Sequence, residues 1–108
     1  MAINPRTLLL ATALIEEFEG IETSAFLNPI GVPTICAGLT RYPSGMPVRM
    51  GDICSAEVCR GHLASKLIHA FLPALQNLPG WSQFGPSRQA VLISFAWNFG
   101  LKFFNSEG

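Results

Sequence analysis

At 108 residues the chain has the length of one domain with a modest core, burying roughly 60–70% of its unfolded surface. Apolar residues make up 49% and charged residues only 13%, a balance that excludes a disordered chain. Seven basic and seven acidic residues cancel, so charge argues neither for nucleic acid nor for steering onto an anionic surface.

Asn4 followed by Pro5 signals the first helix: a capping side chain, then proline at the first helical position. Leu8, Ala11, Leu14, Ile15 and Phe18 recur at helical spacing, and Gly20 ends the run. The apolar stretch from Leu8 to Ile15 is far shorter than the ~20 residues needed to cross a bilayer. One arginine, Arg6, precedes it, Glu16 and Glu17 follow directly, and no small-residue cleavage site is present. It reads as a buried helix face, with neither an export signal nor stable membrane insertion.

From Glu22 to Gly51, prolines and glycines punctuate short apolar pieces, which suits hairpin strands rather than helix. The candidate strands are Ala25–Asn28, Thr34–Ala37 and Met46–Arg49. Ser55 then caps a second helix with body Ala56–Phe71, whose apolar side is Val58, Leu63, Leu67, Ile68 and Phe71. His62 and His69 lie seven apart on one of its faces and are expected to point to solvent. Pro73 begins a short further helix that ends at Leu78-Pro79-Gly80. Gly85-Pro86-Ser87 opens the most apolar helix, Ser87–Phe99, ended by Gly100. It is nearly hydrophobic all round and is expected to be the central buried helix. There are no repeats, low-complexity tracts or linkers.

Cys36, Cys54 and Cys59 are an odd number, which argues against a closed disulfide framework. Reduced, buried thiols are the simpler reading, and one disulfide from the hairpins to the next helix stays open. Cys59 and His62 share a helix face with Cys54 near, but the spacing fits no standard zinc pattern. No metal site is expected.

The stretch EGIETSAFLNPIGVPTICAGLT, from Glu19 to Thr40, resembles the start of the phage-type lysozymes (endolysins, glycoside hydrolase family 24). In that family a helix-ending Glu-Gly leads into a small β-hairpin region. GPSRQAVLISFAWNFG, Gly85 to Gly100, is similar to the family's buried core helix, and VRMGDICSAEVC, Val48 to Cys59, to its hairpin-to-helix junction. The three segments come in the family's order and span nearly the whole chain. The resemblance implies an α+β, mostly helical fold, with a small antiparallel β-hairpin lobe beside a helical lobe and a cleft between them. It implies a single lysozyme-like domain over residues 1–108, shorter than the family by its C-terminal helices, which leaves Leu101, Phe103 and Phe104 without their usual cover. Relatives often carry cysteines at positions like Cys36 and Cys59, so that is the pair it suggests for a disulfide.

The activity implied is that of a muramidase cleaving the β-1,4 bond between N-acetylmuramic acid and N-acetylglucosamine. The implied partner is bacterial peptidoglycan; no cofactor is needed and a monomer is expected. Endolysins without signals are made in the host cytoplasm and act on the wall after release.

The family's catalytic positions are normally Glu, Asp (sometimes Cys) and Thr; here they are Glu19, Asn28 and Thr34. Pattern alone does not separate Glu19 from Glu16, Glu17 or Glu22; the resemblance makes it the general acid. Partial burial against Phe18 and Trp97 is expected to hold it protonated. Asn28 can orient a water through its amide oxygen but cannot take the proton, a loss of roughly 10²–10⁴-fold. Thr34 could hold the same water. Glu22 and Asp52 are alternative bases that the spacing does not favour. Leu39 stands at the family's usual histidine and Ala37 at a commonly larger position. Tyr42 and Asn98 are candidates for sugar binding, while Trp81 and Phe84 read as core. Asn28 keeps three readings open: a working muramidase, a weakened or inactive relative that binds wall glycan, and a fragment without function of its own.

Overall fold

The computed structural model describes residues 3–100. Helix α1 runs Pro5–Glu19. Asn4 Oδ1 accepts the Arg6 N–H at 2.8 Å, and Gly20, at φ 75°, donates to the Glu16 carbonyl at 2.8 Å. Both ends thus terminate as the sequence predicts. Strands β1 (Glu22–Leu27) and β2 (Pro33–Cys36) pair antiparallel, with Phe26 opposite Thr34 and an irregularity between Glu22 and Phe26. On the other edge of β1, Ala25 donates to Asp52 at 3.0 Å and Cys54 to Thr23 at 2.9 Å, so the 52–54 segment extends the lobe.

The expected strand Met46–Arg49 is not formed. That segment makes a single bridge, Pro47 to Arg41, and closes a loop through Tyr42 N–H to Met46 and Val48 N–H to Thr40. Pro43 and Pro47 have no N–H to give a ladder, which limits pairing here.

Helix α2 (Ala56–Lys66) is capped by Ser55, whose side chain accepts from Val58 N–H at 3.1 Å. The expected single body to Phe71 instead changes geometry: Leu67–Phe71 is π-helical and continues into the short α3, Leu72–Leu75. Leu72 N–H reaches back five residues to the Leu67 carbonyl. Pro73 follows, with no N–H for the next rung, so the helix widens just before it. A 3₁₀ turn, Trp81–Gln83, leads to α4, Pro86–Phe99.

Two apolar clusters result. The larger joins α1, α2, α3 and α4 through residues such as Ala11, Ile15, Leu63, Leu75, Ile93 and Ala96, with Trp81 packed among them. The smaller sits under the hairpins: Ile35, Cys36, Leu39, Val48 and Cys59. Ile21 and Trp97 pack against both. Fully burying one such Ile or Leu is worth about 1.5–3 kcal/mol. The Arg60–Glu16 pair, 2.8 Å, lies at the surface, where solvent screens it and it adds little. Packing therefore sets how α1 meets the rest.

Expected as buried all round, α4 is in fact one-sided. Ala90, Ile93, Ser94 and Ala96 are buried, whereas Val91 and Phe99 are 55% and 67% exposed. Its inner face meets α1, with Thr7 Oγ1 donating to Gln89 Oε1 at 3.1 Å; no described element covers the outer face. Leu101, Phe103 and Phe104 lie outside the described residues.

A disulfide joins Cys36 of β2 to Cys59 of α2, Cα–Cα 5.1 Å, and Cys54 stays a thiol. The preference for three reduced thiols thus gives way to the pair that the resemblance suggests. The odd count reflects one spare cysteine beside a formed bridge.

Candidate active site

Glu19 is the last residue of α1, and its side chain reaches the turn that closes β2. Ile35 and Leu39 exchange backbone hydrogen bonds at 2.9 Å each, enclosing residues 36–38 in a tight turn. Gly38 sits there at φ 86°, and a Cβ built on it would lie 3.7 Å from Glu19 Oε1. The carboxylate therefore rests directly on this glycine. Trp97 of α4 donates its indole N–H to the Ala37 carbonyl in the same turn at 2.9 Å. The indole also packs on Phe71 and carries Lys66 Nζ 5.8 Å from its ring centre. The end of α1, the turn and α4 thus meet at one point.

Burial of Glu19 is not what the sequence predicts. Glu19 is exposed, and Phe18 beside it is 70% exposed. Phe18 faces outward on the last turn of α1, so it does not enclose the carboxylate.

Asn28 is a turn-maker. Its Oδ1 accepts from Ile30 N–H at 3.0 Å and Val32 N–H at 2.9 Å, while its backbone pairs with Val32 and Gly31. Two donors occupy both lone pairs of that oxygen. The expected use of the amide oxygen to orient water is therefore excluded in this arrangement, and Nδ2 is what the side chain can offer. Thr34 is 4% exposed on β2, and its hydroxyl donates to the Val32 carbonyl at 2.9 Å. Its oxygen can still accept. Asn28 and Thr34 thus clamp the two sides of Val32, one taking its N–H and the other holding its carbonyl.

Tyr42 and Asn98 do not share a cavity. Tyr42 lines a cleft of about 300 Å³ with Leu39, Arg41, Ser65, Lys66 and His69. Asn98 donates to the Ser94 carbonyl at 3.1 Å and lines an open groove of about 530 Å³ with Phe18, Val91 and Phe99. The Tyr42 hydroxyl donates to Asp52 Oδ2 at 2.6 Å, and Arg49 N–H donates to the same oxygen at 3.0 Å. The hydrogen bond to Asp52 and partial burial push the tyrosine up to about 12. The same bond, with Arg49 N–H, holds Asp52 below the usual carboxylate range. Asp52 is thereby committed to the hairpin lobe, as Glu16 is to Arg60, whose hydrogen bonds also lower it.

Other expectations resolve individually. Trp81 is buried and Phe84 partly so, as core residues. Leu39, at the usual histidine position, is 1% exposed and belongs to the hairpin core. His69 is exposed, but His62 is half-buried with its ring 5.4 Å from Tyr42, not turned to solvent. Sequence reasoning missed the Tyr42–Asp52 bond and the Trp97–Ala37 bond. The first spans ten residues of irregular loop and the second sixty, so no local spacing carries either. No described helix is long and apolar enough to cross a membrane.

A family model described as phage lysozyme matches residues 16–107. Among solved structures the chain is similar to an endolysin from Escherichia coli O157:H7 phage FAHEc1. The TM-score is 0.75 at 27% identity, over 99% of this chain and 64% of that one. It is also similar in fold to a mutant of P22 lysozyme, with a TM-score of 0.72 at 22% identity, over 96% of this chain and 67% of that one. The chain therefore spans about two thirds of the length of these relatives. None of the curated proteins matches it.

Proposed function

The chain belongs to the phage lysozyme family, and on that premise we propose that it acts on bacterial peptidoglycan, hydrolysing the β-1,4 bond between N-acetylmuramic acid and N-acetylglucosamine. Glu19 is the general acid, delivering its proton to the leaving glycosidic oxygen. The observation that carries this reading is the seat of Glu19 on Gly38, in the turn that closes β2, the strand bearing Thr34. A Cβ at that glycine would stand in ordinary contact with the carboxylate, so the turn and the acid lie side by side where a sugar would be cut.

The attacking water comes from the hairpin side, which suits inversion. Thr34 Oγ1 accepts a hydrogen bond from it, and Asn28 Nδ2 donates to it. Neither group takes a proton, so catalysis is slower than with a carboxylate by roughly 10²–10⁴-fold. Tyr42 and Asn98 contact more distant parts of the glycan, on separate sides of the lobe junction. The whole chain works as one lysozyme-like domain, held in the host cytoplasm until release.

A second reading has its own support. Asn28 Oδ1 is fully used by Ile30 and Val32, which makes Asn28 a structural residue first. On that reading the chain binds wall glycan and hydrolyses it slowly or not at all. Turbidity clearing of chloroform-treated Gram-negative cells separates the two, with Glu19→Gln and Asn28→Asp alongside. Clearing lost in Glu19→Gln supports the muramidase. Glycan pull-down without clearing, even at high protein, supports the binder and overturns the first reading.

A further inference from the structure

Two cations and a histidine converge on the Tyr42 cleft, and no carboxylate lines it. The cleft, about 300 Å³, lies between the loop after β2 and the junction of α2 with the π-helical stretch. Arg41, Lys66 and His69 are among its walls, and none of the residues lining it is acidic. Asp52 stands at the Tyr42 hydroxyl, but that bond and the Arg49 N–H already hold its carboxylate. Glu16 is held by Arg60, the one ion pair among the described residues. The positive charge of the cleft is thus not matched by the protein's own acids.

The polar groups are placed by local contacts. Arg41 Nη1 donates to the Gly45 carbonyl at 2.9 Å, which ties the guanidinium to its loop. One of its five N–H donors is used by that bond. Lys66 is half-buried, with Nζ 5.8 Å from the centre of the Trp97 ring. His69 Nδ1 lies 2.9 Å from the Ser65 carbonyl, which can only accept, so Nδ1 carries the proton.

We propose that this cleft binds the free carboxylates of the short peptide borne by muramic acid. The proposal rests on the muramidase reading above and adds the peptide to what the chain recognises. Position supports it. Leu39 lines the cleft and also closes the turn on which Glu19 rests, one residue from Gly38. Trp97, which stacks near Lys66, donates to Ala37 in that same turn. A glycan lying across the turn brings the groups hung on its sugars towards Arg41 and Lys66.

The chemistry selects the peptide among those groups. Sugar hydroxyls and acetamides are neutral and would leave the cations unmatched. A half-buried ammonium without a counter-ion has lost hydration, and an incoming carboxylate restores part of what was lost. Arg41 offers the planar fork that fits a carboxylate. Between the charges, Leu39, Tyr42 and Pro43 present apolar wall that suits the methyl and methylene groups of a peptide. A small phosphate would leave that wall bare.

The test reads binding and does not depend on lytic activity. Calorimetric titrations use the full chain as Glu19→Gln, so that no probe is cut. The probes are N-acetylglucosaminyl–N-acetylmuramyl tetrapeptide with its carboxylates free, the same compound with all of them amidated, and neutral chitotetraose. The free acid is expected to bind roughly tenfold tighter than the amide, the scale of a hydrogen bond to a charged group. That preference should fall to near unity in Lys66→Met and in Arg41→Gln, and persist in Lys66→Arg, while chitotetraose binding stays unchanged. Equal affinity for the two peptide forms, binding of neither, or a preference untouched by Lys66→Met and Arg41→Gln overturns the proposal. Glycerol phosphate competing as well as the free acid would assign the cleft to phosphate and overturn it too. Chitotetraose separates the two readings. If it binds while the peptide forms are not told apart, the glycan reading stands and this one falls. If it does not bind and the charge preference persists, the glycan reading falls and the cleft remains a carboxylate site.

Discussion

Glu19 and Gly38 fix each other's place: the carboxylate oxygen lies 3.7 Å from where a Cβ on the glycine would stand. Contact at that distance is ordinary, so space alone would admit alanine. The backbone does not, because Gly38 is at φ 86° and an L-residue there costs about 1–2 kcal/mol. Gly38→Ala is expected to lower unfolding free energy by that amount and to displace Glu19. Gly61, inside α2 with open space around it, is the control. Gly61→Ala is expected to stabilise by roughly 0.5–1 kcal/mol, since it removes the entropy of a helical glycine. Chemical denaturation of the two variants checks both signs.

Asn28→Asp separates the two roles carried at that position. A carboxylate oxygen accepts from Ile30 and Val32 N–H as the amide does, so the turn should hold and the melting temperature should barely move. The second carboxylate oxygen is then left for the water, and clearing of peptidoglycan should rise by roughly 10²–10⁴-fold. Asn28→Ala removes both acceptor bonds and should cost about 1–2 kcal/mol. A thermal melt paired with a clearing assay reads stability and activity on the same samples.

The helices were legible in the sequence because their ends are chemical events: Asn4-Pro5, Gly20, Ser55 and Gly85-Pro86 each settle backbone donors or acceptors that a helix leaves open. The hairpin lobe was legible in outline only. Prolines and glycines say where helix is forbidden, but β1 reaches back to Glu22, and Met46–Arg49 yields one bridge instead of a strand. The uniform apolarity of α4 concealed that only one side of it is covered by described residues, since periodicity cannot tell a buried face from an uncovered one. Within the site, Glu19 was named by resemblance. The use of Asn28 Oδ1 depended on two peptide N–H groups whose directions only the folded turn sets.

Tyr42 is the chain's single tyrosine, so its ultraviolet titration reports one group. Its ionisation is raised from 10.0 to about 12 by the hydrogen bond to Asp52. A raised group stabilises the fold fully below its unfolded value and loses that contribution as pH climbs through the folded one. Stability from this bond should therefore fall between about pH 10 and pH 12. Asp52 is lowered by the same bond, so its contribution is present above its ordinary 3.8 and is lost as pH drops further. Asp52→Asn should bring the tyrosinate absorbance change back toward pH 10, and a midpoint unmoved from the wild type would show that the bond is not its cause.

Trp97→Phe tests how the helical side holds the candidate site. The aromatic ring keeps its packing on Phe71, so most of the apolar contact survives. The lost group is the indole N–H, and with it the 2.9 Å hydrogen bond from α4 to the Ala37 carbonyl. Ala37 is fully buried, so its carbonyl would have no ready water to replace the donor. An orphaned buried acceptor costs about 1–3 kcal/mol, more than the net worth of an ordinary hydrogen bond. Because Ala37 adjoins Gly38, the turn under Glu19 should loosen as well. Hydrogen exchange at Leu39 and Ile35, whose amides bond to each other's carbonyls across that turn, should then speed up by more than at the α1–α4 interface. Equal acceleration at both places would mean that Trp97 stabilises the fold as a whole and does not hold the turn in particular.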